Sequence, residues 1–332
     1  LALAIGFTAP SEMFRLASGN AARLSGIQTI DGSAAPLPYV MLAFLSLLWG
    51  SSFLFVKIAA GSLEPFSLAF GRVSIGAAAL IAATLLTRSK WPRGRRLWAR
   101  LAVLGLFGQV APFLALAVAA RFTTSADLAL MMGGAPIFTF AISRLMGQGE
   151  PWRARTALGL ALGLAGVLVC VGFPGAAAAD AYPFGGWGRA LALLAAFGYA
   201  LGATLSREVS LEVGPTMAAA ASMLFSAMAL CVLWLGVDRG AAISGFSHAT
   251  PAAIGAMAAL GFFNTALAYL VYYRLVVTAG ATFAALNNYI VPFLGLIAGA
   301  VMLGEPVALS AWIGFVLVIV GVALTGAAPS RK

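Results

Sequence analysis

Arg72, in the stretch "AFGRVSIG" (69–76), is a full positive charge set well inside an apolar run. A guanidinium so placed can hold a substrate carboxylate through paired N–H donors. It can equally cap backbone carbonyls, pair with Asp127, or reach outward to water along its own stem. Gln109 and the pair Asn264-Thr265 are also polar within apolar sequence. Such groups either line a cavity or join neighbouring helices by hydrogen bonds. Asn287-Asn288 stand just before Pro292, where the missing N–H loosens the backbone; Pro136 sets up a matching kink in an earlier run. Trp49, with Ser51 and Ser52 beside it, and the tyrosines Tyr199 and Tyr269 offer apolar walls with polar tips. Ordinary aromatic packing accounts for such rings equally well. These residues suit the binding of a small molecule.

They do not suit catalysis. The one histidine, His248, falls in a polar loop, and Cys170 and Cys231 each lie alone in an apolar run. No two carboxylates fall together within one of those runs, so an acid–base pair, a metal centre and a nucleophile–histidine pair all lack their parts. No enzyme activity, cofactor or metal is expected. The same gap removes the mid-membrane Asp, Glu or His through which proton-driven carriers commonly relay, which favours facilitated flow or exchange, with Asp127 or Glu150 left to titrate if a cavity reaches them.

The elements that must position these side chains follow from composition. With 62% hydrophobic and 9% charged residues, the chain cannot cover its core with a water-facing surface. Apolar runs lie at 38–60, 66–87, 98–120, 124–146, 156–174, 187–206, 215–236, 252–273, 281–303 and 308–328. Each is close to the ~20 residues that cross a bilayer as a helix. Backbone polar groups in hydrocarbon need internal partners, so helix is the form these runs must take. The reading is an all-α membrane protein of ten transmembrane helices. Residues 1–37 lack the charged front, apolar centre and cleavage site of a signal peptide and are expected to form a disordered tail; 329–332 form a short C-terminal tail.

Charge sets the direction. The net charge of +10 and the stretch "SKWPRGRRLWAR" (89–100) invite a nucleic-acid reading. The positive-inside rule explains both without one, since basic residues crowd into alternate loops. Arg88, Lys90, Arg93, Arg95, Arg96, Arg100, Arg144, Arg153, Arg155, Arg207 and Arg274 fall on one side, whereas the other side holds only Lys57, Arg121, Arg189 and Arg239. Both termini are therefore expected in the cytoplasm. No nucleic-acid partner is expected, and the partners are the lipid bilayer and a small-molecule substrate. Monomer and homodimer both remain open, for GxxxG spacings such as Gly159/Gly163, Gly198/Gly202 and Gly295/Gly299 serve either.

The chain also repeats itself. "GQGEPWRARTALGLALGLAGVLV" (147–169) and "LGEPVALSAWIGFVLVIVGVAL" (303–324) share Glu-Pro, then Gly nine residues after the Glu (Gly159, Gly314), then Gly seven further on (Gly166, Gly321). "WGSSFLFVK" (49–57) and "YALGATLSR" (199–207) are each followed eight residues on by proline, at Pro65 and Pro215. Leu104-Gly105 answers to Leu260-Gly261, Pro136 to Pro292, and Gln109 to Thr265, each at an offset of 156. Matches in order at a nearly constant offset indicate duplication. The first repeat covers 38–174, an outer linker 175–186, and the second repeat 187–328. Five crossings per repeat is an odd number, so the second copy must insert upside down. Two inverted repeats with a site at their junction are the architecture of alternating access.

The opening "LLWGSSFLFVK" with Pro65 and Arg72, the fourth-run Pro136, the "GEP" turn, the glycines after it and their second-half copies resemble the EamA domain. Two such domains make up the ten-helix drug/metabolite transporter superfamily. The resemblance covers about 38–328; "MGQGEP" is one residue longer than the matching "MLGEP". It implies a multi-pass carrier of the bacterial inner membrane that exports amino acids, including aromatic ones, or other small metabolites. Export of hydrophobic drugs or a lipid-linked substrate is the alternative, and a membrane-embedded enzyme or sensor subunit is disfavoured.

Overall fold

The computed structural model describes residues 37–89, 91–119, 122–123, 125–148, 152–171, 185–237, 246, 248–303 and 309–326. Residues 1–36, linker residues 175–184, residues 329–332 and both Glu-Pro turns (Glu150-Pro151, Glu305-Pro306) lie outside the described residues, as do the side chains of Lys57 and Asp127.

Among the described residues every element is a helix. In chain order these are α1 (Leu37–Ala59), α2 (Pro65–Leu86), α3 (Arg95–Gly105), α4 (Ala111–Ala119), α5 (Ser125–Met132), α6 (Ala135–Leu145) and α7 (Ala154–Val171). There follow α8 (Gly185–Val213), α9 (Pro215–Val237), α10 (Pro251–Gly261), α11 (Ala268–Ala279), α12 (Ala281–Ala285), α13 (Asn287–Leu303) and α14 (Leu309–Thr325). Pro65, Pro215 and Pro251 each open a helix, where the absent N–H costs nothing and the fixed φ suits the first turn. Six stretches are long and apolar enough to cross a membrane: Leu37–Val56, Phe66–Leu86, Arg95–Ala119, Gly186–Val213, Pro215–Gly236 and Pro251–Ala279. Shorter apolar helices cover Leu130–Leu145, Ala154–Cys170 and Leu309–Thr325.

Two of the long stretches change pitch midway. A π-helical segment, Leu106–Val110, joins α3 to α4, and another, Phe262–Leu267, joins α10 to α11. They occupy repeat-related positions and hold Gln109 and Asn264-Thr265. Such widened turns recur at functional sites, because each frees backbone groups and re-aims side chains. Two further helices are broken: α5 ends before Gly133-Gly134, and α12 is separated from α13 at Leu286. Gly280, at a φ of 94°, makes the turn between α11 and α12 that a side chain would strain.

The helices with the repeated Gly-x6-Gly spacing pack on each other. A Cβ on Gly159 would stand 2.6 Å from the Gly321 carbonyl oxygen, and one on Gly166 2.6 Å from that of Gly314. Low numbers in α7 face high numbers in α14, so the two copies run antiparallel. α1 and α8 are exchanged between halves: α1 packs on α10, α11 and α13, and α8 packs on α3 to α6. The buried core follows this exchange, with Leu42 and Leu45 of α1 in one cluster with Leu275, Phe283 and Tyr289.

The sixth apolar run, expected over 187–206, continues as α8 to Val213. That corrects the reading that no two carboxylates share a span. Glu208 and Glu212 lie four residues apart on one helix face, and Arg100 of α3 meets both, at 3.3 and 2.7 Å. Gln148 donates its Nε2 to the Thr204 carbonyl (2.8 Å), and Arg207 donates to the Gln148 carbonyl (2.9 Å). These bonds tie α3, α6 and α8 together at one end, and the extra helical turns survive because their charges are paired.

Candidate functional site

The two π-helical segments organise the polar interior. Arg72 of α2 donates its Nε–H to Thr265 Oγ1 at 3.0 Å. Thr265 in turn donates its hydroxyl to the Leu260 carbonyl, five residues back. Arg72 is half-buried, and the hydroxyls of Tyr269 and Tyr199 lie within electrostatic range of its guanidinium. None of the expected roles accounts for the Nε–H, which reaches across to Thr265 of the second half; the Asp127 side chain lies outside the described residues.

Gln109 makes the corresponding bridge from the other π segment. Its Nε2 donates to Ser222 Oγ and to Tyr273 Oη, both at 3.0 Å, and Ser226 Oγ donates to its Oε1 at 2.6 Å. Ser222 lies 150 residues after Arg72, the offset of the first helices of the two repeats. Arg72–Thr265 and Ser222–Gln109 are therefore equivalent pairs, each joining the second helix of one half to the π segment of the other. The glycines obey the same relation. A Cβ on Gly76 would meet Gly261 O at 3.3 Å, and Gly105 O lies 3.1 Å from Ser226 Oγ.

Asn264, fully buried, crosses in a different direction. Its Nδ2 donates to Ser51 Oγ at 3.0 Å and to the Leu48 carbonyl, both on α1, while its Oδ1 is buried without a partner. Ser51 and Ser52 turn their hydroxyls back onto the α1 backbone, at Leu48 and Trp49. Trp49 lies next to them with its ring 6.0 Å from Tyr269 and 5.3 Å from Tyr272, and Tyr269 is 5.9 Å from Tyr273. The sequence-predicted group of Trp49, Ser51, Arg72, Asn264, Thr265 and Tyr269 thus gathers around one π segment.

The remaining candidates lie apart from that group in hydrogen bonding. Asn288 Nδ2 donates to the Ala285 carbonyl (3.0 Å), mending the break between α12 and α13, and Asn287 is buried beside it. Pro292 lies inside α13, six residues beyond that break, whereas Pro136 stands in the first turn of α6, directly after Gly133-Gly134. Tyr289 is a core clasp, donating to the Leu160 carbonyl at 3.0 Å with its ring against Gly163.

Sequence reasoning passed over Ser222, Ser226, Tyr272 and Tyr273. The two serines carried a signal, being spaced four apart on one helix face with Ser222 at the repeat image of Arg72. The tyrosines carried a weaker one, since Tyr269, Tyr272 and Tyr273 share one side of α11 by helical spacing.

The EamA-like transporter family matches this chain over residues 37–172 and again over 186–327. An uncharacterized transporter of Archaeoglobus fulgidus is 26% identical over 87% of this chain and 97% of its own length. The uncharacterized inner membrane transporter YedA of Escherichia coli (strain K12) is 28% identical, covering 84% and 87%. A solved crystal structure shares the fold at a TM-score of 0.70 and 20% identity, over 88% of this chain and 96% of that one.

Proposed function

We propose that this chain, which belongs to the EamA-like transporter family, exports small carboxylate-bearing metabolites across the bacterial inner membrane, with amino acids, aromatic ones among them, as the substrate class. It does so by alternating access. Ten crossings form two inverted repeats, 38–174 and 187–328, with both termini in the cytoplasm. The site lies where Arg72, Asn264, Trp49 and Tyr269 converge. Gln109, Tyr199, Asn287 and Asn288 complete its surroundings, and Pro136 and Pro292 mark the yielding points of the broken helices.

One observation carries the reading: an arginine inside the membrane spends one N–H on Thr265 and leaves both Nη groups without a partner among the described residues. A charge in such a place is expensive and is kept for a function, here the capture of a carboxylate. Inversion is supported by the antiparallel packing of Gly159 and Gly166 on Gly321 and Gly314. An axis lying in the membrane plane relates two conformations, so whatever opens one face has a counterpart opening the other. Because α1 and α8 are exchanged, the bodies that rock are α1 with α10–α13 and α8 with α3–α6. The ion pairs of Arg100 with Glu208 and Glu212 stiffen the second of these from within.

Cysteines introduced singly at Glu150 and Glu305 are expected to react with an impermeant maleimide from opposite sides of the membrane. Reaction from one side for both would remove inversion. In liposomes, the purified protein is expected to show counterflow of labelled aromatic amino acids well above empty vesicles. Uptake equal to empty vesicles for every amino acid tried would remove that substrate class.

A further inference from the structure

The two equivalent nodes differ in what they leave unspent. At Ser222–Gln109, both amide hydrogens of Gln109 are used, its carbonyl accepts from Ser226, and Tyr273 Oη lies 2.9 Å from Ser222 Oγ. No donor of Gln109 remains there for a ligand. At Arg72–Thr265, among the described residues, only the Nε–H is engaged. The site therefore has one binding pole, and it is cationic.

We infer that the site binds an aromatic monoanion more tightly than the zwitterionic amino acids it carries, so that a ring bearing one carboxylate and no ammonium is its tightest ligand; this rests on the reading that Arg72 holds the transported carboxylate. The argument is a charge count. Arginine keeps its proton at any accessible pH. Among the described residues no carboxylate stands in an ion pair with Arg72, whose side chain reaches Thr265 instead. A bound monocarboxylate brings the pair to zero charge, and two parallel N–H···O bonds to the Nη atoms fit its shape. A zwitterion restores the charge of +1 and adds an ammonium that must lose its water. The groups near Arg72 are neutral: the hydroxyls of Tyr199 and Tyr269, with the Trp49 ring against Tyr269. An isolated buried ammonium without a carboxylate partner is costly. A dianion overshoots, since the equivalent position in the other half is Ser222.

The test is calorimetric titration of the purified full chain in detergent with four ligands of one ring: 3-phenylpropionate, phenylalanine, phenylethylamine and phenylsuccinate. We expect 3-phenylpropionate to bind about tenfold more tightly than phenylalanine, a difference of ~1.4 kcal/mol. Phenylethylamine is expected to give no heat, and phenylsuccinate to bind more weakly than the monoanion. Arg72→Gln should bring 3-phenylpropionate and phenylalanine within about twofold of each other. Should that variant fail to purify, Arg72→Lys keeps the charge and is expected to retain the order of preference. Phenylalanine binding as tightly as 3-phenylpropionate, or phenylsuccinate binding best, overturns the preference and leaves the carrier reading to the counterflow result. Binding of none overturns the preference together with the carboxylate role of Arg72.

Discussion

Replacing Arg72 with glutamine is expected to lower counterflow of a carboxylate substrate at least tenfold while the protein still elutes as a folded species. Glutamine keeps an N–H donor that can reach Thr265 Oγ1, so the bridge between α2 and the second π segment has a substitute. The charge and the paired Nη donors have none. Hydrogen bonds to charged groups contribute about 1.5–3 kcal/mol each, and each ~1.4 kcal/mol is a factor of ten. The loss of even one therefore accounts for the expected fall. Initial rates in liposomes, set beside the size-exclusion profile of the same preparation, separate the two roles. Undiminished flux would return Arg72 to a purely structural bridge.

The second large effect is on stability. Gly166→Leu and Gly314→Leu are each expected to lower the thermal midpoint of the purified protein by several degrees and to reduce its yield. A Cβ on Gly314 would sit 2.5 Å from the Gly166 carbonyl oxygen, against backbone that cannot turn aside. Overpacking of this kind costs about 1–3 kcal/mol, and more where the obstacle is a main chain. Gly236→Leu serves as the control, because nothing lies within 4 Å of a Cβ there. Equal midpoints for all three variants would show that the α7–α14 seam is not held by close approach.

Much of the fold was legible because a bilayer leaves few choices. Apolar runs near the spanning length could only be helices, and Pro65 and Pro215 announced where two of them begin. The end of α8 was not legible in hydropathy, since Arg207, Glu208 and Glu212 read as a loop until their partners are known. The π-helical segments were hidden for another reason. Neither "LFGQV" nor "FFNTAL" has a residue that demands a wider turn, and only the paired positions of Gln109 and Thr265 hinted at a shared role.

For the site, residue type identified Arg72, Asn264 and Trp49, but not their partners. Which helix meets which is a matter of packing, so the Leu48 carbonyl and Tyr273 could not be named in advance. The offset of 150 did place Ser222 opposite Arg72, and following that pairing through would have exposed the one-sided charge.

The exchange of α1 and α8 bears on how such a molecule could have begun. A single copy of the repeat, made alone, would have its leading helix jutting from an unfinished bundle and an empty berth beside its third and fourth crossings. In the inverted arrangement proposed above, a twin inserted the other way up fills that berth by lending its own leading helix in return. A gene encoding one repeat would thus have needed a product that enters the membrane in both orientations, and cutting this chain at the linker should yield fragments that assemble only as complements.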